Sequence, residues 1–263
     1  MQKGKQEEWA KEVVRQAKLP GRPMRTVSAA VPGDRLEEQK LKLCLAALGC
    51  NVTDCWREGI PAFGAECGVF CLTAQDERGA LLEPEQLLPL LCLIEMENGG
   101  GKVAVPAGAS AAADLVAAGF GGTCLRLGRD EPEARALYAS LPWMWDAAFA
   151  AVRILSRMAL SGETLEGLMM KTPRFAVRKR EVLLNSECSG VMRALAREHR
   201  RELEGEGLRL RTGDGWVFLS SHERRRAVQI MAESPDMELA AELCDLYVGR
   251  VLRADQRAAS EEK

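Results

Sequence analysis

The chain reads LRLRTGDGWVFL over residues 208–219, and this stretch decides how its C-terminal part folds. Two short apolar runs flank a Gly-Asp-Gly turn at 213–215, a pattern that is typical of a β-hairpin. A polar segment follows at 220–226, and a third apolar run occupies 227–233. Ser234-Pro235-Asp236 then precedes a long helical pattern. These features predict a small α+β domain made of a hairpin, a loop, a strand and a helix.

The polar segment is the place where the sequence could hold an anion. Arginine guanidinium groups and serine hydroxyls suit the geometry of a phosphate group. Against this, Glu223 stands among the arginines and could neutralise one of them, and a run of charges is more often a solvated surface. The candidate anion-binding residues are Ser220, Ser221, His222, Arg224, Arg225 and Arg226.

Composition indicates an ordinary globular protein. Of the 263 residues, 47% are hydrophobic and 28% are charged, enough apolar residues for one large core or several small ones. The net charge of -2 gives no electrostatic basis for nucleic-acid binding. No apolar run is long enough for a membrane span, and the charged N-terminus lacks an apolar signal core. We therefore expect a cytoplasmic protein without a nucleic-acid or membrane partner.

Nine cysteines are the unusual feature of the composition. An odd number of cysteines without a secretion signal predicts free thiols rather than a disulfide framework. Their spacing does not form paired CxxC knuckles, so we expect buried thiols and no zinc site. The nine are Cys44, Cys50, Cys55, Cys67, Cys71, Cys92, Cys124, Cys188 and Cys244.

Strand and helix patterns alternate along the first part of the chain. A helix is predicted at 7–19, followed by a strand–helix–strand unit at 26–31, 35–48 and 50–52. The turn Pro32-Gly33-Asp34 is placed to cap the second of these helices.

The alternation continues in the middle of the chain and is typical of a parallel α/β layer. The turn Asp76-Glu77-Arg78-Gly79 contains a single aspartate, which indicates turn chemistry rather than a metal ligand. Further along, we predict strands at 68–73, 80–82, 103–105, 123–127 and 175–182, and helices at 85–97, 110–118, 145–160, 165–171 and 186–204.

Three further groups have plain structural explanations. Single histidines at His199 and His222, without an obvious acid or nucleophile beside them, are more typical of surface positions than of a catalytic site. Trp143-Met144-Trp145 precedes an apolar helix, where aromatic residues usually anchor a core. A basic patch is typical of an edge strand protected by charge. It consists of Arg174, Arg178, Lys179 and Arg180.

Four segments together resemble the α-D-phosphohexomutase superfamily, which includes phosphomannomutases and phosphoglucomutases. They are DERGALLEPEQLLPLLCL, ENGGGKVAVPAGAS, WDAAFAAVRILSRMALSGETLEGLMMKTPRFAVRKREV and GDGWVFLSSHERRRAVQIMAES. The likeness is greatest to the mutase-like tail of bacterial fusions that begin with a mannose-1-phosphate guanylyltransferase.

The resemblance implies an α/β fold of phosphohexomutase-like mixed α/β layers with a C-terminal α+β domain. It further implies a truncated second domain at 1–62, a third domain at 63–160 and a fourth at 161–255. We expect residues 256–263 to be a disordered tail.

The chain departs from this family at each functional motif. The family's phosphoserine domain has no counterpart, and the three alternating aspartates of its magnesium loop are absent at 68–76. The family's sugar-recognition motif is absent between 127 and 145. Its phosphate loop, Arg-Pro-Ser-Gly-Thr-Glu-Pro, aligns without gaps onto 220–226, where none of the seven residues is retained.

These departures lead us to expect an inactive member of the family without a bound cofactor. Such a pseudoenzyme would hold a protein partner, with a sugar nucleotidyltransferase as the first candidate, or would sense a sugar phosphate. The alternative is an active phosphomannomutase or phosphoglucomutase, an intramolecular phosphotransferase, that another chain completes.

Overall fold

The computed structural model describes residues 8, 13, 24–65, 72–128, 132–199, 207–213 and 215–261. Contacts between Cα atoms divide the chain into two compact units. The first comprises residues 1–103, 113–124 and 136–173, and the second comprises 104–112, 125–135 and 174–263. The division into domains at residues 62, 160 and 255 stays a prediction.

The first unit is built on a five-stranded mixed sheet with the order β2-β1-β3-β4-β5. We predicted a parallel layer, but only the pairings of β1 with β2 and with β3 are parallel. The pairs β3–β4 and β4–β5 are antiparallel, because their connections are too short for the crossover that parallel strands need. The strands are β1 (Ser28–Ala30), β2 (Asn51–Thr53), β3 (Ala62–Ala65), β4 (Leu72–Gln75) and β5 (Leu81–Leu82).

Within the described ranges, the chain up to residue 173 also contains six helices and two further strands. The two strands form a sheet of their own, β6–β7. Helix α4 and a 3-10 turn at Pro142–Met144 are additions to the predicted elements. The elements are α1 (Leu36–Ala47), α2 (Pro84–Glu97), β6 (Lys102–Val105), α3 (Ala112–Gly119), β7 (Thr123–Arg126), α4 (Glu133–Ser140), α5 (Ala147–Ser161) and α6 (Leu165–Met169).

Two helix starts differ from the prediction. Helix α1 is not capped by the turn that ends at Asp34. Instead Glu38 reaches back, and its Oε2 accepts a hydrogen bond from Arg35 N at 2.9 Å. Helix α5 begins after Asp146 rather than at Trp145, because Asp146 Oδ1 accepts from the backbone N–H of Ala148 at 2.9 Å.

Some predicted elements lie largely outside the described residues. Of the helix at 7–19, only residues 8 and 13 are described, and both are helical. The strand predicted at 68–73 is described only from residue 72, where β4 begins.

The second unit carries a four-stranded antiparallel sheet with the order β8-β11-β10-β9. One face of this sheet packs against α7 and α8 around Val217, Leu219, Ile230, Leu195 and Tyr247, which are all fully or almost fully buried. Alternate strand residues supply this core, as strand geometry requires. The elements are β8 (Ala176–Leu183), α7 (Cys188–Glu198), β9 (Gly207–Thr212), β10 (Gly215–His222), β11 (Ala227–Ser234) and α8 (Met237–Glu261).

The prediction of a disordered tail is wrong for residues 256–261, which continue α8. Ala254 belongs to the buried core, and Ala258 packs against it. Asp255, which is 1% exposed, accepts hydrogen bonds from the backbone N–H groups of Asn185 and Ser186. The end of α8 is therefore held by packing and by hydrogen bonds that sequence periodicity does not show.

Candidate functional site

Three of the six predicted anion-binding residues belong to a strand and not to a loop. Ser220, Ser221 and His222 are the last residues of β10, and they pair with Gln229, Val228 and Ala227 of β11. Successive side chains of a strand point to opposite faces of the sheet, so Ser220 and Ser221 do not face a common ligand. The Ser220 and Ser221 hydroxyls therefore do not form a single binding site.

The three arginines occupy a tight turn, and their side chains are exposed. Residues Glu223–Arg225 form a 3-10 turn, and Arg226 follows in the left-handed region with φ 47°. Arg226 O accepts a hydrogen bond from Leu184 N at 2.8 Å, which ties the turn to the end of β8. Arg225 NH1 lies 3.8 Å from Glu181 Oε1. Arg225 is thus directed towards β8, whereas Arg226 lines a pocket.

This pocket, which we name the α7 pocket, has a volume of about 230 Å³ and is lined by Glu187, Cys188, Ser189 and Arg226. Cys188 is the first residue of α7, a helix of 11 residues. The first N–H groups of a helix lack partners within the helix, and the helix dipole makes this end positive. Together with the Arg226 guanidinium, they favour an anion. The Glu187 carboxylate in the same wall opposes it.

The start of α7 is fixed by Asp255 of α8. Asp255 Oδ1 accepts from Ser186 Oγ at 2.6 Å and from Ser186 N at 2.9 Å, and Oδ2 accepts from Asn185 N at 3.0 Å. Burial raises the pKa of the Asp255 carboxyl, but hydrogen bonds from Ser186 and Asn185 together hold it below its ordinary value. The carboxylate therefore holds the two residues that precede the α7 pocket.

The α7 residues of the pocket were missed by sequence reasoning. The segment Asn185-Ser186 before an apolar helical pattern was a usable signal for a helix start. The contact between this helix start and the turn at Arg226 joins residues that are far apart in the sequence. Such a contact depends on strand order, which the sequence pattern does not reveal.

Asp76 has the turn role that the sequence predicted. Its Oδ1 accepts hydrogen bonds from Arg78 N at 2.9 Å and from Ala80 N at 2.8 Å. Within the described ranges, no group of three or more His, Cys, Asp or Glu side chains could hold a metal ion. Of the segment 68–76, where the family's three aspartates are absent, residues 68–71 lie outside the described residues.

Cys44, Cys50, Cys55, Cys188 and Cys244 are free thiols, as predicted, but Cys55 is exposed rather than buried. Cys67 and Cys71 lie outside the described residues. Burial raises the pKa of Cys44 to about 12 and that of Cys50 to about 11. These two thiols therefore stay protonated at neutral pH and are poor nucleophiles.

A cluster of charged residues in the second unit was also missed. Arg126, which is 4% exposed, donates to Ala109 O at 2.8 Å, and Arg209 donates to the same oxygen at 2.7 Å. Glu233 Oε1 accepts from Ala111 N at 3.1 Å. Burial raises the pKa of Glu233, although Ser110, Ala111 and the two arginines oppose that shift. These contacts hold the segment after β6 in place, which is a structural role.

His199 is half-buried rather than at an open surface position. Its ring stacks on Tyr247 with centroids 5.6 Å apart, and its Nε2 lies 2.9 Å from Arg250 NH1. Arg250 NH1 also lies 3.2 Å from Glu198 Oε1. Because a guanidinium only donates, Nε2 must be the acceptor, and the histidine is neutral in this arrangement.

Comparison with known proteins supports the fold. No protein-family model matches the chain. A probable phosphoglucosamine mutase of Methanopyrus kandleri is 26% identical over 200 residues, which cover 67% of this chain and 44% of that protein. Among the described residues, no helix has both the length and the apolar character that crossing a membrane requires.

Solved structures share the fold at low identity. A phosphoglucomutase/phosphomannomutase family protein of Burkholderia thailandensis has a TM-score of 0.70 at 14% identity and covers 95% of this chain. The N-acetylphosphoglucosamine mutase of Aspergillus fumigatus, solved with GlcNAc-6P and magnesium, has a TM-score of 0.59 at 10% identity. The chain spans 64% and 61% of these two proteins, less than two thirds of each. The chain therefore has the fold of these phosphohexomutase structures and is similar in sequence to the archaeal probable phosphoglucosamine mutase.

Proposed function

We propose that this chain binds the phosphate group of a sugar phosphate in the α7 pocket without mutase turnover. The observation that carries the proposal is the position of Arg226. It lies in the turn after β10, which aligns with the family's phosphate loop, and it lines a pocket with the start of α7. A guanidinium beside a helix N-terminus offers both charge and N–H donors to a phosphate.

The absence of turnover follows from the chemistry that the family's reaction needs. A phosphohexomutase passes a phosphate through a serine, and this step requires the phosphoserine as a covalent carrier. The segment 68–76 lacks the three alternating aspartates of the family's magnesium loop, and the segment 220–226 lacks the residues of its phosphate loop. Binding would therefore serve to sense a sugar phosphate or to regulate a partner.

A direct binding measurement tests this proposal. Inorganic phosphate, glucose-1-phosphate, mannose-1-phosphate and glucosamine-1-phosphate are each added in a thermal unfolding experiment, with unphosphorylated glucose as the control. A ligand that binds the native state at 100 times its Kd stabilises it by about 2.7 kcal/mol. We expect a raised Tm with at least one phosphorylated ligand and no change with glucose.

The variant Arg226→Gly removes the guanidinium while suiting the left-handed backbone at this position. We expect it to fold and to lose the ligand-dependent rise in Tm. Arg253→Ala removes an exposed arginine from α8 and serves as the control that retains the rise. If Arg226→Gly keeps the full response, or no phosphate ester shifts the wild-type Tm, phosphate binding in this pocket is refuted.

The partner that we propose is a sugar nucleotidyltransferase, because the sequence likeness is greatest to a fusion that contains one. Purification of the tagged chain from its native host, followed by mass spectrometry, tests this step. We expect a nucleotidyltransferase to co-purify. Its absence from repeated purifications, with the tagged chain recovered intact, would contradict the partnership without affecting the phosphate proposal.

The rival function is an active mutase that another chain completes. The printed description of the curated relative, a probable phosphoglucosamine mutase, is the observation that favours it. A coupled assay with hexose-1-phosphates and Mg²⁺ separates the two proposals. Turnover above the background of a mock purification, by the chain alone or with host extract, would support the rival.

A further inference from the structure

An apolar groove of about 280 Å³ lies between the first half of α8 and the ends of three strands of the second unit. We name it the α8 groove. Its helical wall contains three leucines and one carboxylate, and its other wall contains small residues at the ends of β9, β10 and β11. The seven lining residues are Leu239, Glu242, Leu243, Leu246, Thr212, Gly215 and Ser234.

The groove leucines form a second apolar face of α8, beside the face that packs on the sheet. The core face contains Ala240, Cys244 and Tyr247, which are buried. Each groove leucine directly precedes one of these three residues in the sequence. Successive helical residues differ in direction by about 100°, so the leucines point away from the core. The fold of the second unit therefore uses one apolar face of α8 and leaves an adjoining one at its surface.

The spacing of the leucines is suited to helix packing. Leu239 is 46% exposed and Leu246 is 49% exposed, while Leu243 is partly buried against the core. Residues at i, i+4 and i+7 form one ridge of a helix. Such a ridge packs against apolar residues of the same spacing on a second helix.

The surface around the groove is acidic. Between residues 234 and 249 the sequence contains Asp236, Glu238, Glu242 and Asp245 but no lysine or arginine. All four carboxylates belong to exposed residues. The start of a helix carries roughly half a positive charge, which these carboxylates outweigh.

The nearby arginines leave this acidic character in place. Arg180 Nε lies 4.0 Å from Asp245 Oδ1, so it offsets one of the four carboxylates. Arg211 precedes Thr212 in β9, but its guanidinium lies 5.8 Å from the centre of the Trp216 ring. Trp216 is on the sheet face opposite the helices, since the next residue, Val217, belongs to the core between sheet and helices. The groove therefore combines apolar walls with an excess of negative charge.

We infer that the α8 groove binds an amphipathic helix of a protein partner, with lysine or arginine beside its apolar stripe. The stems of these basic side chains would cover the exposed leucines, and their cations would approach Glu238 and Glu242. A second copy of the chain does not fit, because a two-fold contact at the groove would bring the same carboxylates together. The α8 groove shares no residue with the α7 pocket, so the inference is independent of phosphate binding.

Fluorescence anisotropy with a synthetic peptide tests this inference. The probe is a labelled helix of leucine, lysine and alanine, about 18 residues long, because shorter isolated helices are marginal in water. Its leucines are spaced by three and four residues. The control peptide has glutamate in place of each lysine. We expect the Kd of the wild-type chain to be at least about tenfold lower for the lysine peptide, with a preference that declines as salt is added.

A substitution of one leucine tests the apolar wall. Leu246→Ser should raise the Kd for the lysine peptide by about tenfold, because it removes apolar area that the peptide would bury. Leu252→Ser is the matched control, since Leu252 is 43% exposed on the same helix but does not line the groove. It should leave the Kd unchanged.

A charge reversal tests the acidic rim. Glu242→Lys should raise the Kd for the lysine peptide by about tenfold and lower it for the glutamate peptide. Glu58→Lys makes the same change of net charge at an exposed residue of the first unit and should leave both values unchanged. Circular dichroism checks that all four variants fold.

Three results would overturn the inference. The first is a wild-type chain that does not bind the lysine peptide or binds both peptides equally. The second is a control variant that weakens binding as much as its matched groove variant. The third is a concentration-dependent dimer, measured by sedimentation without peptide, that Leu246→Ser abolishes, because the occupant would then be a second copy.

Discussion

Asp255 and Ser186 are 69 residues apart in the sequence, and the Ser186 hydroxyl donates to Asp255 Oδ1 at 2.6 Å. Through this bond and those to the two backbone N–H groups, the last third of α8 sets where α7 begins. One wall of the α7 pocket therefore depends on a carboxylate that does not itself line it. This dependence gives the first of four predictions.

Replacement of Asp255 by alanine should destabilise the protein by about 2–4 kcal/mol, because the N–H groups of Asn185 and of the buried Ser186 would lose their acceptor. Urea unfolding followed by circular dichroism measures the change. Gln256→Ala, an exposed neighbour on the same helix, is the control and should change stability by less than about 0.5 kcal/mol. Equal effects of the two substitutions would show that the hydrogen bonds contribute little.

Acid should weaken the same contact. The folded pKa of Asp255 lies below its ordinary value of 3.8, so its contribution is fully present above that value and declines as the pH falls through the folded pKa. The difference in unfolding free energy between wild type and Asp255→Asn should therefore be largest near pH 7 and shrink on acidification below pH 4. A difference that stays constant from pH 7 to pH 3 would argue against an ionised Asp255.

His199 should make the folding stability sensitive to pH in a range above that of Asp255. Burial, followed by the charge of Arg250, lowers the pKa of His199. As the pH falls below the ordinary value of 6.5, the unfolded chain takes up the proton first, and folding stability is lost until the folded pKa is passed.

The measurement is the unfolding free energy at pH 7.5 and at pH 5.5 for the wild type and for His199→Gln. The substitution should reduce the loss of stability between these pH values. An equal loss in both proteins would assign the pH dependence to other groups.

Glu77 should contribute more to the folding stability than Arg78, its neighbour in the same turn. It is 8% exposed, and its Oε1 accepts from Leu165 N at 2.7 Å while Oε2 accepts from Glu166 N at 3.1 Å. Glu77→Ala leaves the start of α6 without these acceptors and should cost about 1–3 kcal/mol in urea unfolding. Arg78→Ala removes an exposed ion pair and should cost at most about 1 kcal/mol. A larger loss of stability for Arg78→Ala than for Glu77→Ala would refute the role of Glu77 as the acceptor for the start of α6.

Local sequence patterns predicted the elements that local chemistry controls. The Gly-Asp-Gly turn between two apolar runs predicted β9 and β10, and the leucine-rich segment from Pro84 predicted α2. The prediction was wrong where contacts between residues that are distant in sequence determine the secondary structure. Ser220–His222 were assigned to a loop because they are polar, yet pairing with β11 keeps them in β10.

The candidate site was predictable only in part for the same reason. The polar segment drew attention to Arg226, but not to its partners at the start of α7. Conversely, the other five predicted residues were grouped by adjacency in sequence, although three of them belong to β10, where neighbouring side chains point to opposite faces of the sheet. The anion-binding role of Arg226 therefore stays a prediction, and sequence reasoning did not identify the residues that surround it.

Arg226 has a consequence for how this protein can be engineered. Its left-handed backbone would cost less with glycine or asparagine, whereas an ordinary side chain there costs about 1 kcal/mol or more. A library of all substitutions at this position should therefore give two different rankings. Selection for thermal tolerance would favour glycine, and selection for phosphate affinity would favour arginine or lysine. Under the proposed phosphate binding, this single position trades backbone stability against ligand recognition.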